Sequence, residues 1–361
     1  MLNLGPSPLL PTVQEHWKQA YSPVRITACD DCGHWYNRDF DGQLSSQMYR
    51  QVVTNSPVDP SMFRNLQCIA DWLGEETYAG KQVLEVGGGS GHFARLLAAR
   101  ANFVTVYEPS TGLEQTAFPE PNLRLITDFY RPGPDLERVD LVVCRQVLEH
   151  VADPVSLLGD MAAALKPGGL LYVEVPRAEF IREHAVVIEF HNAHVQYFLE
   201  GQFPEIAARA GLQVVRCWTL KEGHDMGYLL GNGEPRPLPA RPALSQQPDF
   251  QARIEREQRL LENWSGKSAI YGANWQGTCF FHLYRIPILT CALDDTPAYR
   301  GSYLEGRFGR LPILAPAAQQ LKGLKTIFVT AHLHFKVIEA RLRSLGFDGI
   351  ILNAISIEER T

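Results

Sequence analysis

Short apolar runs recur between residues about 76 and 230, each followed by a stretch with helical spacing. Val83-Leu84-Glu85-Val86, Phe103–Tyr107, residues 123–127, Asp140-Leu141-Val142-Val143-Cys144 and Leu170-Leu171-Tyr172-Val173 have the density of buried strands. Phe93-Ala94-Arg95-Leu96-Leu97 has helical character. Strand-like and helix-like runs in alternation predict an α/β fold with a doubly wound parallel sheet. Upstream, Pro60–Leu73 reads as a helix with Met62, Leu66, Ile69 and Leu73 on one face. A second alternating set follows: Ser268-Ala269-Ile270-Tyr271, residues 287–293, residues 326–330, a helix over 335–345 and Ile350–Asn353. It predicts a second Rossmann-like unit.

Between the two sets lies Gly231-Asn232-Gly233-Glu234-Pro235-Arg236-Pro237-Leu238-Pro239-Ala240-Arg241-Pro242. Prolines there fix φ and remove ladder donors, so an extended linker or surface arm is expected, then a helix over 250–264. The predicted division is an N-terminal region over 1–75, a nucleotide-type domain over 76–230, a linker and helix over 231–264 and a C-terminal Rossmann-like domain over 265–361.

The most specific local pattern is Val86-Gly87-Gly88-Gly89-Ser90-Gly91 at the end of the first strand. Glycines Gly87, Gly89 and Gly91 permit a sharp turn and a close backbone approach to a ligand at a helix N-terminus. Glu85 precedes them inside the strand, and Glu108 ends the next strand, where a carboxylate can accept both hydroxyls of a ribose. An NAD-type domain is the competing reading, but the Glu-Val-Gly-Gly-Gly spacing and the later Lys166-Pro167-Gly168-Gly169 turn do not suit it.

These motifs resemble the class I S-adenosylmethionine (SAM)-dependent methyltransferases. The resemblance spans roughly residues 80–220 and implies SAM as cofactor. It implies Glu85, Gly87, Gly89, Gly91 and Glu108 as cofactor-binding residues, Asp128 and Phe129 beside the adenine, and Gln146 and His150 in the loop after the fourth strand. A narrower resemblance, to sugar C-methyltransferases, rests on Tyr271-Gly272-Ala273, Leu293-Asp294-Asp295-Thr296-Pro297, Gly301 and Leu311-Pro312-Ile313-Leu314-Ala315-Pro316. It implies a nucleotide-linked sugar as acceptor, held by Gly272, Asn274, Asp294 and Asp295.

Methyl transfer from a sulfonium is an in-line displacement; the protein aligns the acceptor and removes a proton. Candidates cluster in Glu183-His184-Ala185-Val186-Val187-Ile188-Glu189-Phe190-His191-Asn192-Ala193-His194-Val195-Gln196-Tyr197-Phe198. The sugar C-methyltransferases carry Tyr-His-Glu-His here, then Tyr-Phe, so the resemblance assigns the base to His194, supported by His191, Glu189 and Tyr197. The family's tyrosine and glutamate fall on His191 and Ala193, a departure that leaves the acceptor open. The other role for His194 is to cap a helix starting near Tyr197. Cys29-Asp30-Asp31-Cys32 matches only one of the two Cys-x-x-Cys pairs of that family's zinc domain, so a degenerate lid without metal is expected. Tyr36, Tyr49 or Phe63 would cover the cleft.

The 361 residues suffice for more than one core, with 45% hydrophobic residues, 20% charged and a net charge of −6. No basic run points to nucleic acid, and no apolar stretch reaches the roughly 20 residues a bilayer demands. Seven scattered cysteines fit a reducing cytoplasm. The expected function is SAM-dependent methylation of a sugar. An O- or N-methyltransferase of a non-sugar small molecule and a non-catalytic SAM-binding protein are the alternatives.

Overall fold

The computed structural model describes residues 2–16, 19–51, 60–113, 118–133, 137–233 and 248–357. Its central sheet has seven strands: Gln82–Val86, Phe103–Tyr107, Leu123–Ile126, Val139–Arg145, Leu165–Pro176, Leu212–Leu220 and Asp225–Asn232. Counted in chain order, they lie across the sheet as third, second, first, fourth, fifth, seventh, sixth. The first five run parallel, and the seventh is antiparallel to both its neighbours. Val83, Leu84, Val104, Val106, Leu141, Val142 and Val143 are buried because helices cover both faces, which is why these strands read as continuous apolar runs. Strand order reverses between the first strand and the fourth, and the crevice at their carboxyl ends is where such sheets take ligands.

The C-terminal sheet repeats the plan. Parallel strands Ile350–Asn353, Thr326–Val329, Ser268–Tyr271, Leu289–Leu293 and Gly309–Leu314 lie side by side in that order. Antiparallel Ser302–Gly306 follows, and Val13–Gln14 pairs beyond it. A third sheet joins Leu2–Pro8, Tyr21–Ala28, Trp35–Asn37 and Gln196–Tyr197. The first forty residues therefore pair with both larger units. One core cluster runs from Leu2, Ile26 and Trp35 through Phe190 to Phe280 and Phe328, so the N-terminal strands, the histidine segment and the C-terminal sheet share a common interior.

Local signals explain the element ends. Helix Pro60–Leu73 buries Leu66, Ile69 and Leu73 as its periodicity requires. Asp249 Oδ1 accepts the amide of Ala252 and caps helix Phe250–Glu262. Near Tyr197 the chain forms a strand, because Gln196 and Tyr197 pair with Tyr36 and Trp35; the next helix is Phe203–Arg209. His194 therefore caps no helix there. The proline-rich stretch from Glu234 to Pro242 lies outside the described residues.

Candidate active site

Gly87, Gly89 and Gly91 have φ of 74°, 51° and 73°, in the left-handed region. A Cβ on Gly87 would stand 2.2 Å from Val147 Cγ2, and one on Gly91 would stand 2.0 Å from Phe118 Cε1. The turn is thus pressed between neighbouring loops, and only glycine fits. Glu108 ends the second strand and bridges this turn: its Oε2 accepts the amide of Gly89 at 2.8 Å and its Oε1 the amide of Ser110 at 3.2 Å. Burial pushes the Glu108 carboxyl up, and these two amides pull it back.

A cavity of about 340 Å³ opens at this strand edge. Gly87 and Glu108 line one side, Tyr107, Phe129 and Tyr130 another, and Gln146, Val147 and His150 the far wall. Ser45, Ser46 and Tyr49, from helix Gly42–Tyr49, close it from the N-terminal side. Of the three aromatic residues expected over the cleft, Tyr49 lines it; Tyr36 pairs in the N-terminal sheet, and Phe63 is exposed against His92. Asp128 stands outside the cavity, ion-paired at 2.9 Å to Arg50, whose guanidinium lies over the Phe129 ring.

Glu85 lies behind the glycine turn, 2% exposed. Burial pushes its carboxyl up to about 7, against the pull of Arg145. Gln146 takes φ of 55° at the cavity wall and donates to Asp225 Oδ2 at 2.8 Å and to Glu174 Oε1 at 3.2 Å.

His150 links the cavity to the histidine segment. Its Nδ1 lies 2.7 Å from the Ala193 carbonyl oxygen, which can only accept, so Nδ1 carries the proton. Tyr49 Oη lies 2.8 Å from the same nitrogen. His194 is one ring behind, its centroid 4.8 Å from that of His150 and 4.2 Å from that of His191. Burial holds His150 and His191 down at about 4 and His194 well below the usual imidazole value, so all three are neutral near pH 7. Tyr197 is buried, with its hydroxyl toward the His191 carbonyl. The amide of Val195 donates to Glu149 O, and Asn192 Nδ2 donates to Ser7 O and Pro8 O, fixing the turn from both flanks.

Glu189 faces elsewhere. It accepts from His332 Nε2 at 2.6 Å and from Gln276 Nε2 at 3.2 Å, both C-terminal. Trp275, the neighbour of Gln276, stacks on His191. Nothing in the sequence pattern marks His332, Trp275, Gln276 or His224 for a role; their partners are too distant along the chain to leave a local signal.

In the C-terminal sheet Asp294 repeats the geometry of Glu108. Its Oδ2 accepts the amide of Ala273 at 2.7 Å, and its Oδ1 the amide of Thr296 at 2.8 Å. Gly272 has φ of 113°, and Asn274 caps helix Trp275–Leu283 by accepting from Gly277 N. Asp295 takes the Tyr271 hydroxyl and an ion pair with Arg341, both at 2.5 Å. Cys29 and Cys32 flank a hairpin turn in which Gly33 N donates to Cys29 O. Among the described residues, the triads that bring metal-ligating atoms together are Glu149/His150/His194 and Glu189/His224/His332, and neither includes those thiols.

Residues 44–216 match the family model described as a methyltransferase domain. With the sheet order above, that match decides the central unit. It is a class I SAM-dependent methyltransferase domain. SAM is its cofactor. Ubiquinone biosynthesis O-methyltransferase of Coxiella burnetii is 32% identical over 110 residues, 29% of this chain and 47% of the relative. The protein of that name from Methylobacterium is 32% identical over 126 residues, 32% of this chain and 51% of the relative. The chain thus spans about half the length of the curated relatives it matches. A SAM-dependent methyltransferase structure from Clostridium acetobutylicum aligns with TM-score 0.41 at 12% identity, over 52% of this chain and 97% of that one. One from Aquifex aeolicus aligns at 0.38 and 16%, over 53% and 98%.

The residues present fit the cofactor: a buried carboxylate at the second strand tip, a glycine turn that excludes any Cβ, and aromatic walls beyond. Among the described residues no helix is long and apolar enough to cross a membrane.

Proposed function

We propose that the chain methylates a sugar carried on a nucleotide, with the methyltransferase cleft on one side of the 191–194 turn and the C-terminal sheet on the other. The observation that carries this reading is the Trp275–His191 stack, ring planes 11° apart, which sets the C-terminal unit's first helix against the candidate base segment. The Asp294 turn, built like the Glu108 turn that borders the cavity, supports a nucleotide-binding role for Gly272, Asn274, Asp294 and Asp295.

On this reading Glu108 accepts the ribose hydroxyls, and Gly87, Gly89 and Gly91, with Glu85 behind them, shape the floor. Asp128 and Phe129 border the adenine, and Gln146 and His150 flank the methionine portion. Bound SAM supplies an electrophilic methyl group on a positively charged sulfur. His194, neutral because it is buried, removes the proton from the acceptor's hydroxyl or acidic C–H. His191 and Tyr197 hold the turn, and Tyr49 closes the cleft against water.

A second reading is O-methylation of a non-sugar small molecule, which the names of the relatives favour. Thermal melts with saturating S-adenosylhomocysteine, adding nucleotide sugars one by one, separate the two. A ligand at 100 times its Kd adds about 2.7 kcal/mol. A further rise with one nucleotide class supports the sugar reading; a response to S-adenosylhomocysteine alone removes it.

A further inference from the structure

Where the methyltransferase domain meets the C-terminal sheet, Glu189, His224 and His332 converge in the interior. They are 2%, 7% and 7% exposed. Glu189 Oε1 lies 2.6 Å from His332 Nε2 and 3.6 Å from His224 Nε2, and the three ligating atoms all lie within 4.8 Å of one another. Four-coordinate zinc, with nitrogen and oxygen ligands at about 2.0–2.1 Å, sets its ligand atoms roughly 3.3 Å apart. The observed spacings bracket that value.

The surroundings have the form of a metal's outer shell. His224 Nδ1 is 2.5 Å from Asp225 Oδ1, so its proton faces a carboxylate and Nε2 is turned toward Glu189. Asp225 is fixed in turn by Lys221 and by Gln146. Gln276 Nε2 orients the Glu189 carboxylate. Phe180 covers the histidines, stacked on His332 at 5.9 Å and edge-on to His224 at 4.9 Å.

We propose that Glu189, His224 and His332 bind a zinc-type divalent cation that fastens the C-terminal domain to the methyltransferase domain. Two imidazole nitrogens and one carboxylate oxygen suit zinc, with water completing the set. Binding needs both Nε2 atoms free of protons: the proton now between His332 Nε2 and Glu189 Oε1 moves to His332 Nδ1 or leaves to solvent, and any proton on His224 Nε2 leaves to solvent, its Nδ1 proton staying directed at Asp225.

The test uses the full untagged chain, dialysed against zinc and then against metal-free buffer, with metal content read by elemental mass spectrometry. About one equivalent is expected in the wild type and in His194→Ala, and none above background in His332→Ala or Glu189→Gln. Zinc retained by both of those variants, or lost with His194→Ala or Cys29→Ser instead, overturns the proposal, as does a wild type that takes up no zinc. Cobalt(II) loading of the wild type decides the matter without any variant. A four-coordinate visible spectrum lacking thiolate charge transfer is expected; a weak six-coordinate spectrum or a sulfur signature overturns the assignment.

Discussion

Trp275 lies against His191 with centroids 5.5 Å apart and ring planes 11° from parallel, so a residue of the C-terminal helix forms one wall of the histidine turn. Replacing Trp275 with Ala removes that wall and leaves the cofactor cleft untouched. The expected result is a turnover reduced about tenfold or more, with S-adenosylhomocysteine affinity unchanged, because misplacing a catalytic group by a fraction of an ångström is costly. Calorimetric titration alongside steady-state kinetics checks it; equal losses in both would show that the wall supports the whole fold.

His194→Ala tests the base directly. Turnover should fall by about 10² or more while cofactor affinity holds. His150→Ala should differ, because His150 lines the cavity and its loss weakens cofactor binding too. Unchanged turnover in His194→Ala removes the base assignment.

The pH profile follows from the same burial. His194 is competent when neutral, so the rate rises with pH through its folded pKa and then levels off. Desolvation holds that pKa well below 6.5, with neighbouring His191 and His150 acting in the same direction. The acid limb of kcat/KM is therefore expected below pH 6.5, with a flat profile from there to pH 8. A limb with its midpoint at 7 or above would point to a different, more exposed base.

These predictions rest on features of unequal visibility in the sequence. Glu108 and the glycine turn were legible because strand ends and glycines are local signals, and the helix Pro60–Leu73 and strand Ile350–Asn353 were legible from periodicity alone. The N-terminal strands were not. Trp35 pairs with Tyr197, and Val13 with Tyr303, so their sheets are set by partners far along the chain. Glu189 was read as a helper of His194 from its sequence proximity, yet its carboxylate turns toward His332 and Gln276. Glu189 ends the 3-10 turn Val187–Glu189, whereas His194 lies in the next turn, closed by its amide on the His191 carbonyl, so closeness in sequence does not bring the two side chains together.

Glu108→Ala is expected to weaken S-adenosylhomocysteine binding most among the cleft residues. Hydrogen bonds to a charged group are worth about 1.5–3 kcal/mol, so a loss of roughly tenfold to 150-fold follows. The substitution also leaves the amides of Gly89 and Ser110 without their acceptor, and the glycine turn should loosen as a result. Glu108→Gln keeps an oxygen for one amide and is expected to lose less. Asp128→Asn, at an ion pair half exposed to solvent, should change affinity by a smaller factor that shrinks further with added salt. Calorimetry at two salt concentrations ranks the three. A larger loss at Asp128 than at Glu108 would move the ribose site away from the second strand tip.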